Sequence, residues 1–202
     1  MNDVQIPAPA GSLQVRPIWQ DSDTLVLICH PHPLFGGTMD NKVVTTLARF
    51  WRRQGHSVVM FNFRGVGNST GRHDDGRGEI DDVHTVLEWV QSQCAATQLI
   101  LAGFSFGAYI AAASADRFLS WRFARLQLQQ LILVAPAVEN YPMQDLQLPK
   151  QTRVIIGDQD EVVSPAAMKA WAQTYLLDLV VLPDASHFFH GRLNDLSTQL
   201  AW

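Results

Sequence analysis

Short runs of apolar residues alternate along the chain with segments of helical character. Several of these runs are apolar on consecutive residues, as in Leu25-Val26-Leu27-Ile28 and Leu131-Ile132-Leu133-Val134. A strand without alternating polar positions is buried on both faces, which is typical of a parallel sheet between layers of helices. The pattern predicts about seven strands, at Leu13–Trp19, Thr24–Cys29, Ser57–Phe63, Gln98–Phe104, Gln130–Ala135, Arg153–Gly157 and Leu179–Leu182.

Helices fill the intervals between these strands. The alternation predicts an α/β fold with a doubly wound, mostly parallel sheet. Asp81 and Asp82 suit the positive end of one helix, and Pro165 suits the first turn of another. Because the chain has neither an internal repeat nor a linker, residues 1–202 are expected to form a single domain. The predicted helices are Asn41–Gln54, Glu79–Gln93, Phe106–Leu119 (with an extension to about Leu126 left open), Ala166–Thr174 and Leu193–Trp202.

Composition and charge exclude several classes of function. Hydrophobic residues make up 47% of the chain and charged residues 17%, as in ordinary globular proteins. The net charge is −4 and the 15 Lys and Arg residues are scattered, so we expect no nucleic-acid or membrane partner. No apolar run approaches the roughly 20 residues of a membrane span. The first residues lack a secretory pattern, so we expect a cytoplasmic protein in which Cys29 and Cys94 form no disulfide.

The most informative motif is Gly103-Phe104-Ser105-Phe106-Gly107, which lies between a predicted strand and a predicted helix. This G-x-S-x-G pattern is the nucleophile elbow of α/β-hydrolases. A turn this sharp leaves no room for side chains two residues either side of Ser105, and glycine has none. Ser105 would then lie above the free N–H groups of the next helix, where negative charge is favoured. The simpler alternative is a βα turn with a capping serine.

Two further chemical groups follow predicted strands, at the edge where sites of such sheets lie. Carboxylates occur at Asp158, Asp160 and Glu161, and an imidazole occurs at His187. Ser105, a carboxylate and His187 therefore come in the chain order of the α/β-hydrolase triad. A serine hydroxyl is a poor nucleophile unless an imidazole takes its proton and a carboxylate orients that imidazole. The order of these groups predicts a serine hydrolase.

The chain resembles the α/β-hydrolases over nearly its whole length, from about Leu13 onwards. It is most similar to the small, lidless bacterial group related to dienelactone hydrolases. Those enzymes use cysteine as nucleophile, whereas this elbow carries Ser105, which makes dienelactone a doubtful substrate. The motifs that carry the resemblance are HPHPLFGGTMDNKVV (30–44), FNFRGVGNSTG (61–71), GEIDDV (78–83), AGFSFGAY (102–109), GDQDEVVSP (157–165) and SHFFHG (186–191).

The resemblance also implies roles for individual residues. Asp160 fits the family position of the triad acid, whereas Asp158 is expected to shape the turn. The backbone N–H of Phe106 is expected to form one half of an oxyanion hole. The other half is expected from His32, with Leu34 as the alternative, because the prolines of the same loop have no N–H.

The remaining aromatic and histidine side chains are expected to bind the substrate, pack in the core or hold a loop. Phe35 and Phe188 are expected to bind the substrate, and Phe189 is expected to pack in the core. The pairs His30/His32 and His187/His190 lack the further ligand that zinc needs, so we expect no metal and no cofactor. His30 is expected instead to order the oxyanion loop.

Only about ten residues, Glu139–Pro149, separate two predicted strands where many relatives carry a lid. We therefore expect no lid and an open, shallow site. The prediction is a serine hydrolase that cleaves small carboxylic esters through an acyl-enzyme. Thioesters, lactones and small peptides or amides remain alternatives on the same triad, and a non-catalytic binding protein is the alternative outside enzymes. Segment 116–130 is either an amphipathic extension or a dimer surface, so we expect a monomer or a homodimer.

Overall fold

A central sheet whose interior strands are apolar at nearly every position organises the molecule. The computed structural model describes residues 2–201. Its sheet has eight strands in the order β1-β2-β4-β3-β5-β6-β7-β8. Neighbours pair in parallel from β4 to β8, whereas β2 pairs antiparallel with both β1 and β4. The strands are β1 (Val4–Ala8), β2 (Gly11–Ile18), β3 (Thr24–Cys29), β4 (Ser57–Phe61), β5 (Gln98–Phe104), β6 (Gln127–Val134), β7 (Thr152–Gly157) and β8 (Asp178–Leu182).

Helices cover the two faces of the sheet, which confirms the predicted α/β fold. Their starts follow local signals: Asn41 Oδ1 accepts a hydrogen bond from Val43 N at 2.8 Å, and Ser164 caps the helix that opens on Pro165. No helix between residues 2 and 201 combines the length and apolarity needed to cross a membrane. The helices are α1 (Lys42–Arg53), α2 (Arg77–Gln93), α3 (Phe106–Trp121), α4 (Pro165–Thr174) and α5 (Leu193–Thr198), and a 3₁₀ turn spans Pro33–Phe35.

The structure corrects several predicted boundaries. Strand β1 was missed because it lies at the sheet edge, contains Pro7 and buries only Ile6. Asp81 and Asp82 are not in the first turn of α2, because that helix begins at Arg77. Helix α3 ends at Trp121, where the next residue adopts a left-handed conformation, so the extension to Leu126 is wrong. Helix α5 ends at Thr198, and Trp202 lies outside the described residues.

The absence of a lid is confirmed. Residues 135–151, which join β6 to β7, contain neither helix nor strand. Instead this connection packs down onto the domain, since Met143 is fully buried and its carbonyl accepts a hydrogen bond from Trp171 Nε1 at 3.2 Å. On another face, Trp121 and Phe123 pack against His84 of α2. Segment 116–130 therefore lies on the domain, and a dimer surface there stays a prediction.

Candidate active site

Ser105 sits in a strained turn between β5 and α3. Its φ of 56° and ψ of −117° lie outside the regions that ordinary residues prefer. A Cβ on Gly103 would overlap the carbonyl oxygen of Gly107, and a Cβ on Gly107 would overlap the carbonyl oxygen of Cys29 at the end of β3. Both positions therefore require glycine. The Ser105 N–H donates to the Val134 carbonyl of β6 at 2.9 Å, which anchors the turn to the sheet.

Ser105, His187 and Asp160 form a continuous hydrogen-bonded chain. His187 Nε2 lies 3.0 Å from Ser105 Oγ, and His187 Nδ1 lies 2.7 Å from Asp160 Oδ2. Strands β7 and β8 are paired in parallel, so the loops that carry Asp160 and His187 meet at one edge of the sheet. Ser105 is only 9% exposed and lies at the base of a cleft. The site is therefore open but deeper than the shallow surface expected from the missing lid.

The three carboxylates near the end of β7 have different partners. Asp160 Oδ1 accepts hydrogen bonds from the N–H groups of Val162 and Val163 at 2.9 and 2.8 Å, which leaves Oδ2 for the imidazole. Asp158 Oδ1 accepts from Asp184 N at 2.8 Å and shapes the turn between neighbouring loops. Glu161 Oε2 accepts from the backbone N–H of His187 at 3.1 Å. Among these three carboxylates, the structure brings Asp160 to His187 Nδ1.

Hydrogen bonding determines the tautomer of His187. An ionised carboxylate only accepts, so the proton of the neutral ring lies on Nδ1, opposite Asp160. The lone pair on Nε2 then points toward Ser105 Oγ and can accept the hydroxyl proton. The rings of Phe104 and Phe188 pack on the imidazole at 5.0 and 5.1 Å, so its orientation is held by packing as well.

The loop after β3 has one free backbone donor among residues 31–37. His32 N has no hydrogen-bond partner within residues 2–201, and neither has Phe106 N at the start of α3. The competing donor, Leu34 N, is occupied by His32 Nδ1 at 3.1 Å. Of the two donors predicted from this loop, the structure therefore leaves the N–H of His32 free and that of Leu34 bonded. The remaining N–H groups of the loop donate to carbonyls of the loop itself: Phe35 N and Gly37 N to His32 O, and Gly36 N to Pro33 O.

His30 joins the two loops beneath this turn. It is fully buried; its Nε2 accepts from Phe63 N at 3.0 Å, and its Nδ1 donates to Pro31 O at 2.7 Å. Burial lowers the pKa of His30 to about 4, so the ring is neutral at neutral pH. Both ring nitrogens are used in holding the loop.

A cleft of about 330 Å³ opens above Ser105. Phe35 and Phe188 line it and are 87% and 38% exposed, and Val162 is a further apolar residue of the lining. None of the described lining residues is Asp, Glu, Lys or Arg. Phe189, by contrast, is fully buried in the core. His190 is exposed and stacks on Phe188 at 5.8 Å.

A second carboxylate–imidazole pair, not anticipated from the sequence, lies near the oxyanion loop. Glu79 Oε1 lies 2.8 Å from His73 Nδ1, and both side chains are buried. The His73 ring packs on that of His32 at 4.8 Å, and burial together with His73 lowers the pKa of His32. The motif GEIDDV contained Glu79, but nothing in it pointed to His73 as a partner.

Comparison with known proteins agrees with this geometry. The family Hydrolase_4, described as serine aminopeptidase, S33, matches residues 20–151, about two thirds of the chain. The chain belongs to this family.

Its relatives extend the match to nearly the full chain. The crystal structure of XC6422 from Xanthomonas campestris, an α/β serine hydrolase without lid, has 42% identity and a TM-score of 0.90 and covers 98% of this chain and 91% of its own. An α/β serine hydrolase homologue from Coxiella burnetii has 42% identity and a TM-score of 0.86, covering 99% and 97%. Uncharacterized protein RP471 of Rickettsia prowazekii (strain Madrid E) is 31% identical over 98% of this chain and 86% of its own length.

Proposed function

We propose that this α/β serine hydrolase cleaves small carboxylic esters through an acyl-enzyme. Ser105 is the nucleophile, His187 is first the general base and then the general acid, and Asp160 holds the imidazole. The observation that carries the proposal is the unbroken hydrogen-bonded chain from Asp160 Oδ2 through His187 to Ser105 Oγ, with links of 2.7 and 3.0 Å. Both links are within the range expected for a nucleophile and its base.

Acylation begins when Ser105 Oγ bonds to the ester carbonyl carbon while its proton moves to His187 Nε2. The carbonyl oxygen becomes an oxyanion that accepts hydrogen bonds from the N–H groups of His32 and Phe106. Each such donor contributes on the order of 3 kcal/mol to the stability of this transition state. The C–O bond to the alcohol then breaks, and the imidazolium gives its proton to the departing oxygen.

Deacylation repeats these steps with water. His187 Nε2 takes a proton from a water molecule, whose oxygen attacks the acyl carbon, and the resulting imidazolium then returns a proton to Ser105 Oγ as the ester bond to serine breaks. Asp160 stays ionised throughout and stabilises the imidazolium. The products are a carboxylic acid and an alcohol.

The cleft supports a neutral, apolar acyl group. A volume of about 330 Å³ lies at the lower end of the range of small-molecule pockets, and Phe35 and Phe188 offer it apolar contact. The family description favours amide hydrolysis as a second candidate. An aminopeptidase substrate carries an ammonium group that needs a carboxylate, and the described lining of the cleft has no Asp or Glu. Esters are therefore the better match, while thioesters and lactones use the same chemistry.

Labelling with a fluorophosphonate probe tests the proposal. The wild-type protein should form a covalent adduct on Ser105, and Ser105→Ala should form none. Ser105→Ala should also abolish hydrolysis of p-nitrophenyl esters with little change in thermal stability, because the serine side chain is small and its backbone N–H keeps its bond to Val134 O. A folded wild-type protein that stays unlabelled would point to a non-catalytic binding protein. A panel of p-nitrophenyl esters, acyl-CoAs and aminoacyl amides then ranks the leaving groups.

A further inference from the structure

Glu79 is a buried carboxylate with three hydrogen-bond donors. It is fully buried near the start of α2. Its Oε2 accepts from Gly76 N at 2.9 Å, and its Oε1 accepts from Asp74 N at 3.0 Å and from His73 Nδ1 at 2.8 Å. A buried charge is costly unless it is fully hydrogen-bonded, and these donors supply that compensation.

Helix capping explains only part of this arrangement. The bond from Gly76 N to Oε2 caps the start of α2 from one side only, because Gly76 has no side chain that could return a bond to the helix. Oε1 is not needed for that bond and instead holds the His73 ring. The other ring nitrogen, Nε2, has no hydrogen-bond partner within residues 2–201, and 3.5 Å away lies the carboxylate of Asp75, whose side chain is 88% exposed. Glu79 is therefore the buried group that orients His73.

The His73 ring supports the two residues that carry the free backbone donors. Its centroid lies 4.8 Å from that of the His32 ring and 5.5 Å from that of the Phe106 ring. The His32 ring in turn holds the oxyanion loop, because its Nδ1 accepts the N–H of Leu34. A change in the position of His73 would therefore reach both sides of the proposed oxyanion hole.

We propose that the Glu79–His73 pair is a positioning device for the oxyanion hole. Asp160–His187 and Glu79–His73 then have separate tasks: in the first pair His187 transfers protons while Asp160 orients it, and the second pair holds His32 and Phe106 in place. His73 and Glu79 act through these two residues and touch no reacting atom. The inference rests on the hydrolase function proposed above.

The test compares His73→Ala and Glu79→Gln with the wild type in three measurements. These are kcat and KM for p-nitrophenyl acetate, and the inhibition constant of a trifluoromethyl ketone that forms a tetrahedral adduct. Misplacing a donor by about 1 Å weakens binding of the tetrahedral species far more than binding of substrate. We expect kcat to fall about 10- to 100-fold with KM within about threefold, and the inhibition constant to rise by the same factor as kcat/KM falls.

Helix α2 offers a control pair of the same residue types, more exposed and away from the site. His84 Nε2 lies 3.7 Å from Glu88 Oε1, and the His84 ring packs on Trp121 and Phe123, as His73 packs on aromatic rings near the site. Trp121 is at the far end of the 16-residue α3, about 24 Å from Ser105 along the helix axis. His84→Ala and Glu88→Gln should leave all three measurements unchanged.

Rates are expressed per active site by titration with the fluorophosphonate, so a partly unfolded variant still yields a kcat. The inference is overturned if the titrated variants keep kcat within about threefold of wild type. It is also overturned if kcat falls while the affinity for the trifluoromethyl ketone stays the same. Failure of the proposed function looks different, because the wild-type protein would then not react with the fluorophosphonate at all.

Discussion

Asp160→Asn isolates the role of the carboxylate with almost no change in shape. An asparagine carbonyl oxygen can keep the two bonds that Asp160 Oδ1 accepts from Val162 and Val163. The amide NH₂ must then face His187 Nδ1, which lies 2.7 Å from the present Oδ2. Two donors cannot face each other, so the imidazole takes the tautomer with its proton on Nε2. That proton points at Ser105 Oγ, and the ring can no longer accept the serine proton.

The expected loss in kcat is about 10⁴-fold, the size known for the corresponding change in trypsin-like proteases. At 1.36 kcal/mol per factor of ten, this equals about 5 kcal/mol of transition-state stabilisation. KM should change little, because the Asp160 side chain is fully buried behind His187 and does not line the cleft. Both kcat and KM are measured from the steady-state hydrolysis of p-nitrophenyl acetate and the initial burst of p-nitrophenolate.

Asp158→Asn is the matched control. Asp158 lies two residues away and accepts a hydrogen bond from Asp184 N, which an asparagine oxygen can keep. Its kcat should stay within about threefold of wild type. The reasoning is refuted if folded Asp160→Asn retains more than about a tenth of wild-type kcat, or if Asp158→Asn loses as much activity as Asp160→Asn.

Three further predictions follow from the geometry. Gly103→Ala should lower the free energy of unfolding, measured in urea melts, by more than about 3 kcal/mol, because the new Cβ would overlap backbone atoms. At Gly55 a new Cβ would have no atom within 4 Å, so Gly55→Ala should cost only about 1 kcal/mol from its left-handed backbone. Equal losses of stability in the two variants would contradict the close approach at the elbow. Phe35→Ala should lower kcat/KM for p-nitrophenyl benzoate about 5- to 10-fold without changing stability. Leu119 is equally exposed, and Leu119→Ala should leave kcat/KM unchanged. If kcat/KM falls in both variants, or in neither, Phe35 does not contact the substrate. The folded-state pKa of His30, about 4, lies below its unfolded value of about 6.5, so the unfolded chain binds the proton first as pH falls. The free energy of unfolding of the wild type, compared with that of His30→Gln, should therefore fall by on the order of 3 kcal/mol between about pH 6.5 and pH 4. If the difference in unfolding free energy between the two proteins stays constant over this range, the assignment is refuted.

The interior of the fold was readable from the sequence because its signals are local and strong. Strands β3 and β5 have the predicted boundaries, since a run of apolar residues buried on both faces has a clear beginning and end. The edge strand β1 escaped detection because only Ile6 among its residues is buried, so burial contributes almost no pattern there. The predicted start of α2 at Glu79 is too late, because the helix begins at Arg77 after a left-handed Gly76, which places Asp81 and Asp82 beyond the first turn. Asp82 instead pairs with Arg64 at 2.8 Å.

Which chemical groups lie at one edge of the sheet can be predicted from their order along the chain. Parallel strands bring the loops that follow them to the same edge of the sheet, so the order of Ser105, a carboxylate and His187 along the chain predicts that these groups meet. The choice of Asp160 among the three carboxylates came from the resemblance to α/β-hydrolases. Only the folded arrangement of the loops fixes which carboxylate oxygen faces the imidazole and which N–H of the oxyanion loop stays free. The same is true of His73, which packs on His32 from a loop 41 residues further along the chain. These outcomes depend on hydrogen bonds and ring contacts between separate segments, and neither periodicity nor motif spacing records those distances.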